Sequence, residues 1–363
     1  MSEIATNGAR RRVLSGMRPT GRLHLGNYMG ALYNWVRLQD EYECYFFIAD
    51  LHALTTDYAE PGNLKEKSFQ IALDFLSAGL DPAKCTIFRQ NDVAAHSELH
   101  VLFSMFTPLG WLERVPTYKD QQEQLREKEL NTYGFLGYPL LQSADILLYQ
   151  PDFVPVGQDQ VAHVELTREV ARRFNQLYSS KPTPKIAAAE SDKDRIKAEV
   201  SDNALVAEVL PEPKVLLTPS PKLPGIDGRK MSKSYGNTIM LSDPPDEIRK
   251  KLKTMVTDPA RVRRTDPGDP DVCPVGDLHK VFSSAEVMAK VYDGCRTAGI
   301  GCIECKGWAA DAIIREIEPI QVRRREYEAT PERVWAILLE GAERAKARAQ
   351  VTMNEVRRAI GLE

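Results

Sequence analysis

The sequence predicts an α/β protein in which a parallel, doubly wound sheet is followed by a mostly helical region. Three observations point there. Short apolar runs alternate with helix-like segments from Val13 to about Asn175, the alternation that strand-helix-strand units produce. Strand signals vanish after Ser242-Asp243-Pro244-Pro245, and the remainder alternates helical stretches with a Pro- and Gly-rich connection at Asp266 to Gly276. The length, 363 residues, exceeds the usual size of a single core, so one larger and one smaller domain are expected, at 1–240 and 241–363.

The elements follow in order. Val13-Leu14-Ser15-Gly16 is a short apolar strand, and the helix-like stretch from Tyr28 to Gln39 comes after a turn. The run from Cys44 to Ala49 reads as a strand buried on both faces, and Thr86-Ile87-Phe88 as another, because only a strand covered on both sides is continuously apolar. Between them, Leu64 to Ala78 has helical spacing, with Gly79 placed as its C-cap. Tyr138 to Tyr149 reads as helix, Phe153 to Val156 as strand and Gln160 to Leu177 as helix. Residues 179–214, rich in Lys, Pro, Ala, Asp and Glu, lack a clear buried face and read as a surface insertion.

With 43% apolar and 27% charged residues, the composition is that of a soluble globular protein. No stretch approaches the apolar length of a membrane span, and the segment bearing Arg10-Arg11-Arg12 lacks the apolar core of a secretory signal. A cytoplasmic location with no membrane contact is expected. The formal net charge of -3 gives no global pull toward a polyanion, so nucleic-acid contact must come from local basic patches. Arg261-Val262-Arg263-Arg264 and Arg323-Arg324-Arg325 are the candidates. Each also reads as a solvated helix face.

Two segments about two hundred residues apart carry the chemistry, Pro19-Thr20-Gly21-Arg22-Leu23-His24-Leu25-Gly26-Asn27 and Lys230-Met231-Ser232-Lys233-Ser234. The first sits at a strand-to-helix turn, where backbone N–H groups face a phosphate. The second is a cationic, Gly-containing loop suited to the spread-out negative charge of phosphoryl or nucleotidyl transfer. In this order, the pair resembles the two signatures of class I aminoacyl-tRNA synthetases, with His24-Leu25-Gly26-Asn27 as the HIGH variant and Lys230 to Ser234 as an unaltered KMSKS. Further blocks are similar to tryptophanyl-tRNA synthetases in particular: Ser15 to Gly21, Ile48 to Thr55, Tyr138 with Ser143 to Tyr149, Pro155 to Gln160, and His163 to Arg168.

That resemblance implies a Rossmann-type catalytic domain and a helical anticodon-binding domain. It implies a two-step reaction, in which the carboxylate of L-tryptophan attacks the α-phosphate of ATP, bound with Mg2+, and the adenylate then esterifies tRNA(Trp). His24, Gly26 and Asn27 would hold ATP from one side, with Arg18, Pro19 and Thr20 beside them. Lys230 and Lys233, with Met231, Ser232 and Ser234, would close from the other. Lys119 matches a third phosphate-facing lysine, and Gly157, Gln158 and Asp159 match a turn at the ATP ribose and base. A homodimer is also implied.

An indole ring has one N–H donor, so its pocket needs one buried acceptor in an apolar and aromatic wall. Asp145 suits that role, and Tyr138, seven residues earlier on the same helix, falls two turns back on the same face. An Asp paired within the core is the other reading of Asp145. The resemblance adds Gly16 and His52 to the pocket. Two departures stand out: Arg18 replaces a common glutamine, and Gln142 a common methionine. Arg18 is suited to a carboxylate or to a phosphate.

Six cysteines are present, and Cys273, Cys295, Cys302 and Cys305 cluster with spacing C-x21-C-x6-C-x2-C. Cytosolic disulfides are rare, so four clustered thiols suggest tetrahedral zinc or a [4Fe-4S] cluster. The surrounding sequence resembles a branch of tryptophanyl-tRNA synthetases that carries iron-sulfur, which favours iron. Cys44 and Cys85 read as core residues. Rival readings are a tyrosine-specific synthetase, a paralogue that only binds tRNA or amino acid, and a nucleotidyltransferase of similar fold. The block matches oppose the first, the intact signature residues the second, and the helical C-terminal region the third.

Overall fold

The computed structural model describes residues 10–116, 118, 130–179, 208–218 and 221–363. Five strands, β1 (Arg12–Met17), β2 (Glu43–Ile48), β3 (Cys85–Arg89), β4 (Phe153–Val156) and β5 (Lys214–Leu217), form one sheet in the order β3-β2-β1-β4-β5. All neighbours run parallel, with Ser15 opposite Phe46, Phe46 opposite Ile87, and Val13 opposite Phe153. The chain moves outward from β1 to β3 and then crosses to the other side of β1. The sheet therefore has its topological switch between β1 and β4, where open α/β sheets bind ligands beyond the carboxyl ends of their strands.

Helix α1 covers residues 25–38 and contains a π-helical turn at Tyr28–Leu32. Then come α2 (Asp50–Asp57), α3 (Leu64–Ala78), α4 (Ala95–Ser104), α5 (Leu109–Glu113), α6 (Tyr133–Tyr149) and α7 (Val161–Tyr178). Beyond β5 lie α8 (Pro245–Thr254), α9 (Pro274–Phe282), α10 (Ala285–Arg296), α11 (Cys302–Glu328) and α12 (Pro331–Ile360). Gly79 caps α3 with φ 117°, the left-handed backbone that glycine adopts without strain.

Alternate strand residues enter two cores. Val13, Phe46, Ile48 and Ile87 pack on Ile71 and Phe75 of α3 and on Ile313 and Ile317 of α11. Leu14, Tyr45, Phe47 and Phe88 pack on Leu148 and Tyr149 of α6, Val164 of α7, and Ala342, Ala345 and Ala349 of α12. The apolar run in β2 is continuous because both of its faces are covered. Helices α11 and α12, on the C-terminal side of the expected boundary at 240, thus each complete one core of the sheet. Close packing of α12 depends on Gly341, where a Cβ would stand 1.8 Å from the carbonyl oxygen of Ile87.

Two elements differ from expectation. Helix α6 begins at Tyr133 instead of Tyr138, capped by Thr132, whose Oγ1 accepts from the N–H of Phe135 (3.2 Å); Gly134, Gly137 and Pro139 weaken the helical signal there. Strand β5 starts at the last residue of the expected insertion and is an edge strand too short and too exposed to announce itself. Residues 180–207 of that insertion lie outside the described residues.

Candidate active site

A cleft of about 1150 Å³ opens at the switch point. Its wall includes Gly16 and Met17 at the end of β1, Phe47 and Ala49 at the end of β2, and Val156 and Gly157 at the end of β4. Both signature segments meet there. The backbone after the KMSKS loop pairs with the turn before α1: the N–H of Leu25 donates to the Ile239 carbonyl and that of Leu241 to the Leu23 carbonyl, both at 2.9 Å. Met231, 4% exposed, is the apolar anchor between the two lysines.

His24 caps α1. The Asn27 N–H donates to His24 Nδ1 and the His24 N–H donates to Asn27 Oδ1, both at 3.3 Å. Burial, then Lys233 and Lys230, push the imidazole down to about 4. It is neutral at physiological pH, and because Nδ1 accepts, its proton sits on Nε2 as a donor for a ligand oxygen. On the facing loop, Lys233 Nζ donates to the carbonyl oxygens of Thr20 (2.8 Å) and Gly21 (3.0 Å) and to Thr20 Oγ1 (3.2 Å). Burial pushes this ammonium down to about 8. The loop itself is shaped by Asn237, whose Oδ1 accepts the Ser232 N–H (2.7 Å) while Nδ2 donates to Asp227 (2.7 Å) and to the Lys230 carbonyl (3.2 Å).

At the other end of the cleft, Asp145 is 1% exposed. Its Oδ1 accepts from Gln90 Nε2 and His96 Nδ1, both at 2.7 Å, and its Oδ2 meets His52 Nε2 at 2.8 Å. Burial raises the carboxyl, but the hydrogen bonds from His52 and His96 overcome it and hold the group down to about 2. Both imidazoles therefore donate to a carboxylate. Of about four acceptor positions on a carboxylate, three are occupied, leaving one on Oδ2. Asp145 is thus paired within the core, as one reading of the sequence expects, and its carboxylate also lines the cleft.

Arg18, Tyr138, Gln142, His52, Gly16, Gly26, Asn27, Gly157, Gln158, Lys230 and Ser232 all contribute to the cleft wall. Pro19 is buried in the turn, Thr20 is engaged with Lys233, and Ser234 is exposed. Lys119 and the side chain of Asp159 lie outside what is described. The sequence reading missed Gln90, His96 and Asn237, which act by holding other groups. It also missed Asp74, whose Oδ2 accepts the Leu23 N–H (2.7 Å) beside His24 and whose Oδ1 pairs with Arg324. An acidic residue in the apolar run Ile71 to Leu76 was the available signal. The basic run at 323–325 accordingly needs correcting: Arg324 is 4% exposed and paired in the core, and Arg323 donates to the Ser77 carbonyl (2.6 Å), so neither belongs to a freely solvated face.

Helices α9, α10 and α11 bring the four cysteines into electrostatic range of one another. Burial, then Cys273, Cys295 and Cys302, push the Cys305 thiol up to about 12. Arg261 Nη1 donates to Cys295 Sγ at 3.6 Å, and His279 Nε2 lies 3.4 Å from Cys305 Sγ. Among the described residues, no group of three or more His, Cys, Asp or Glu is gathered so as to hold a metal ion.

A cleft at the switch point of a parallel sheet, with a histidine-capped helix facing a lysine loop, defines a class I synthetase site. The family model described as tRNA synthetases class I (W and Y) matches residues 6–317, and the chain belongs to that family. Its relatives are specific in name. The protein of Ralstonia nicotianae named tryptophan–tRNA ligase is 51% identical, with 97% of this chain and 98% of that protein covered. That of Thermotoga maritima, of the same name, is 48% identical, with 97% and 99% covered. The tryptophanyl-tRNA synthetase of Campylobacter jejuni, solved with ADP and tryptophan, superposes with a TM-score of 0.80 at 31% identity, over 96% of this chain and 99% of that one.

Proposed function

We infer that the chain is a tryptophan–tRNA ligase, which activates L-tryptophan with ATP and transfers it to the 3′ end of tRNA(Trp). The observation that carries the reading is Asp145, a buried anion with one acceptor position left, in an aromatic-walled pocket at the far end of the cleft from His24 and the lysine loop. The indole N–H takes that position, and Gly16, His52, Tyr138 and Gln142 surround the ligand. ATP lies along Gly26 and Asn27, with Gly157, Gln158 and Asp159 toward its ribose and base. Mg2+ arrives with ATP and screens the phosphate charge.

In the first step an oxygen of the tryptophan carboxylate attacks the α-phosphorus as the bond to pyrophosphate breaks. His24 Nε2–H, the first amides of α1, and Lys230, Lys233 and Lys119 stabilise the charge that develops. In the second, a terminal ribose hydroxyl of the tRNA attacks the activated carbonyl, and AMP leaves. No protein nucleophile takes part, so the protein's work is alignment and charge stabilisation. The family relatives named tryptophan–tRNA ligase favour tryptophan over tyrosine. Amino-acid-dependent ATP–pyrophosphate exchange tests this: exchange with tryptophan and not with tyrosine or phenylalanine is expected, and exchange with tyrosine overturns it.

Residues 1–240 supply the catalytic site and 241–363 the anticodon end, in the cytoplasm. Cys273, Cys295, Cys302 and Cys305 would hold a [4Fe-4S] cluster there, at the start of α9, near the end of α10 and at the start of α11, beside the exposed Arg263 and Arg264. Two features suit them to such a group. Arg261 Nε is buried without a partner next to Cys295, and a Cβ at Gly268 would come within 3.0 Å of Cys295 Sγ, so the glycine leaves that thiol room. One zinc ion, with Zn–S about 2.3 Å, needs a tighter cage than a cluster does. A homodimer is supported by Val101, Met105, Leu109 and Tyr133, which expose 49–73% of their surface around the packed helices α4, α5 and α6.

A further inference from the structure

We propose that Arg18 is the receptor for the α-carboxylate of the amino-acid substrate, and that through it the site rejects indole compounds that carry no carboxylate. Sequence leaves either a carboxylate or a phosphate as the partner of this arginine. Its surroundings separate them. Arg18 follows β1 and lines the cleft, but its guanidinium reaches toward α2 and α6: one Nη donates to Thr56 Oγ1, and the groups acting on it electrostatically are Asp57 and Tyr138. Lys230 and Lys233 act instead on His24, at the phosphate end.

The spacing along α6 agrees. Asp145 and Tyr138 are seven residues apart on one face, about 10 Å along the helix axis. A tryptophan whose N–H meets Asp145 therefore presents its backbone end near the level of Tyr138, where Arg18 lies. Among the described residues, the buried Nε of Arg18 meets no hydrogen-bond partner, so the guanidinium has a donor left for an acceptor in the cleft. Burial lowers the guanidinium from its ordinary value, while Asp57 favours its charged form. A carboxylate completes the set. Held through one oxygen, it keeps the other free to attack the α-phosphate.

This inference rests on the amino-acid activation proposed above. Calorimetric binding to the full chain tests it, using L-tryptophan, L-tryptophanol (hydroxymethyl in place of carboxylate) and Mg·ATP as probes of wild type, Arg18→Met and Arg18→Lys. Wild type should prefer tryptophan to tryptophanol by about 10- to 100-fold, the value of one charge-assisted hydrogen bond. Arg18→Met should lose that preference by weakening tryptophan alone, Arg18→Lys should keep part of it, and ATP affinity should stay within about twofold, since no charge-assisted bond to phosphate is removed. A wild type without the preference overturns the proposal. So does an Arg18→Met protein that weakens for ATP while keeping the preference, which would assign Arg18 to a phosphate. Equal losses for tryptophan and tryptophanol would make the residue structural and overturn it too. Binding of tyrosine in preference to tryptophan would instead overturn the proposed substrate, and the tyrosine–tyrosinol pair would then test Arg18.

Discussion

Replacing Asp145 with Asn removes one charge and one acceptor oxygen from a group that has three donors around it. If the remaining oxygen serves Gln90 and His96, the new amide nitrogen faces His52 Nε2, donor against donor. Losing a charge-assisted hydrogen bond costs about 1.5–3 kcal/mol. His52 recovers part of this by moving its proton to Nδ1, so a stability loss of about 2 kcal/mol is expected. Tryptophan suffers more, because its N–H then meets a donor where it needs an acceptor. About 3 kcal/mol corresponds to roughly a hundredfold rise in Kd, while ATP, bound around His24, should shift by less than about twofold because none of its contacts changes. Urea unfolding and calorimetry measure the two quantities separately. A folded Asn variant that binds tryptophan within about threefold of wild type, less than one hydrogen bond is worth, would refute the reasoning. The sign with pH is also fixed. The native carboxyl lies below its ordinary 3.8, at about 2, so its contribution is complete above 3.8 and lost only as pH falls toward 2; tryptophan binding should not titrate with Asp145 near neutrality.

Lys233 gives a second pH effect. Its pKa is pushed down to about 8 by burial, and bound phosphates should restore it, so ATP binding at pH 8 should take up about half a proton. Calorimetry in buffers of different ionisation enthalpy reads this, and Lys233→Met should abolish it; equal uptake in that variant would reject the assignment. Arg324→Met leaves Asp74 buried with the Leu23 N–H as its one hydrogen-bond donor among the described residues, and loss of one member of a buried pair costs about 3–5 kcal/mol. A change below about 1 kcal/mol in urea unfolding, the range of a surface pair, would contradict that account. Protein purified without oxygen should carry about four iron and four sulfide per chain. Cys302→Ser should lose them, melt at lower temperature and bind tRNA more weakly; one zinc per chain, or a variant of full tRNA affinity, would oppose the cluster and its orienting role.

Most of the sheet was legible because burial on both faces writes itself as continuous apolar runs, as in Cys44 to Ala49. The signatures were legible because phosphate chemistry needs particular residues at a helix start and in a loop. Helix α6 reads short because Gly134, Gly137 and Pro139 weaken the helical pattern over its first turns, which the Thr132 cap begins. Gln90 and His96 were invisible for a related reason: they hold Asp145 from segments 55 and 49 residues away, and a residue that acts through another leaves no local pattern. Arg324 was misread because a charged side chain on a basic helix looks solvated until its buried partner, 250 residues earlier, is known.

The most direct measurement is the charging of tRNA(Trp) and tRNA(Tyr) transcripts by the purified full chain with labelled tryptophan and tyrosine. The account predicts tryptophan on tRNA(Trp) and nothing in the other three combinations. Tyrosine on tRNA(Tyr), or exchange-competent protein that charges neither transcript, would contradict it.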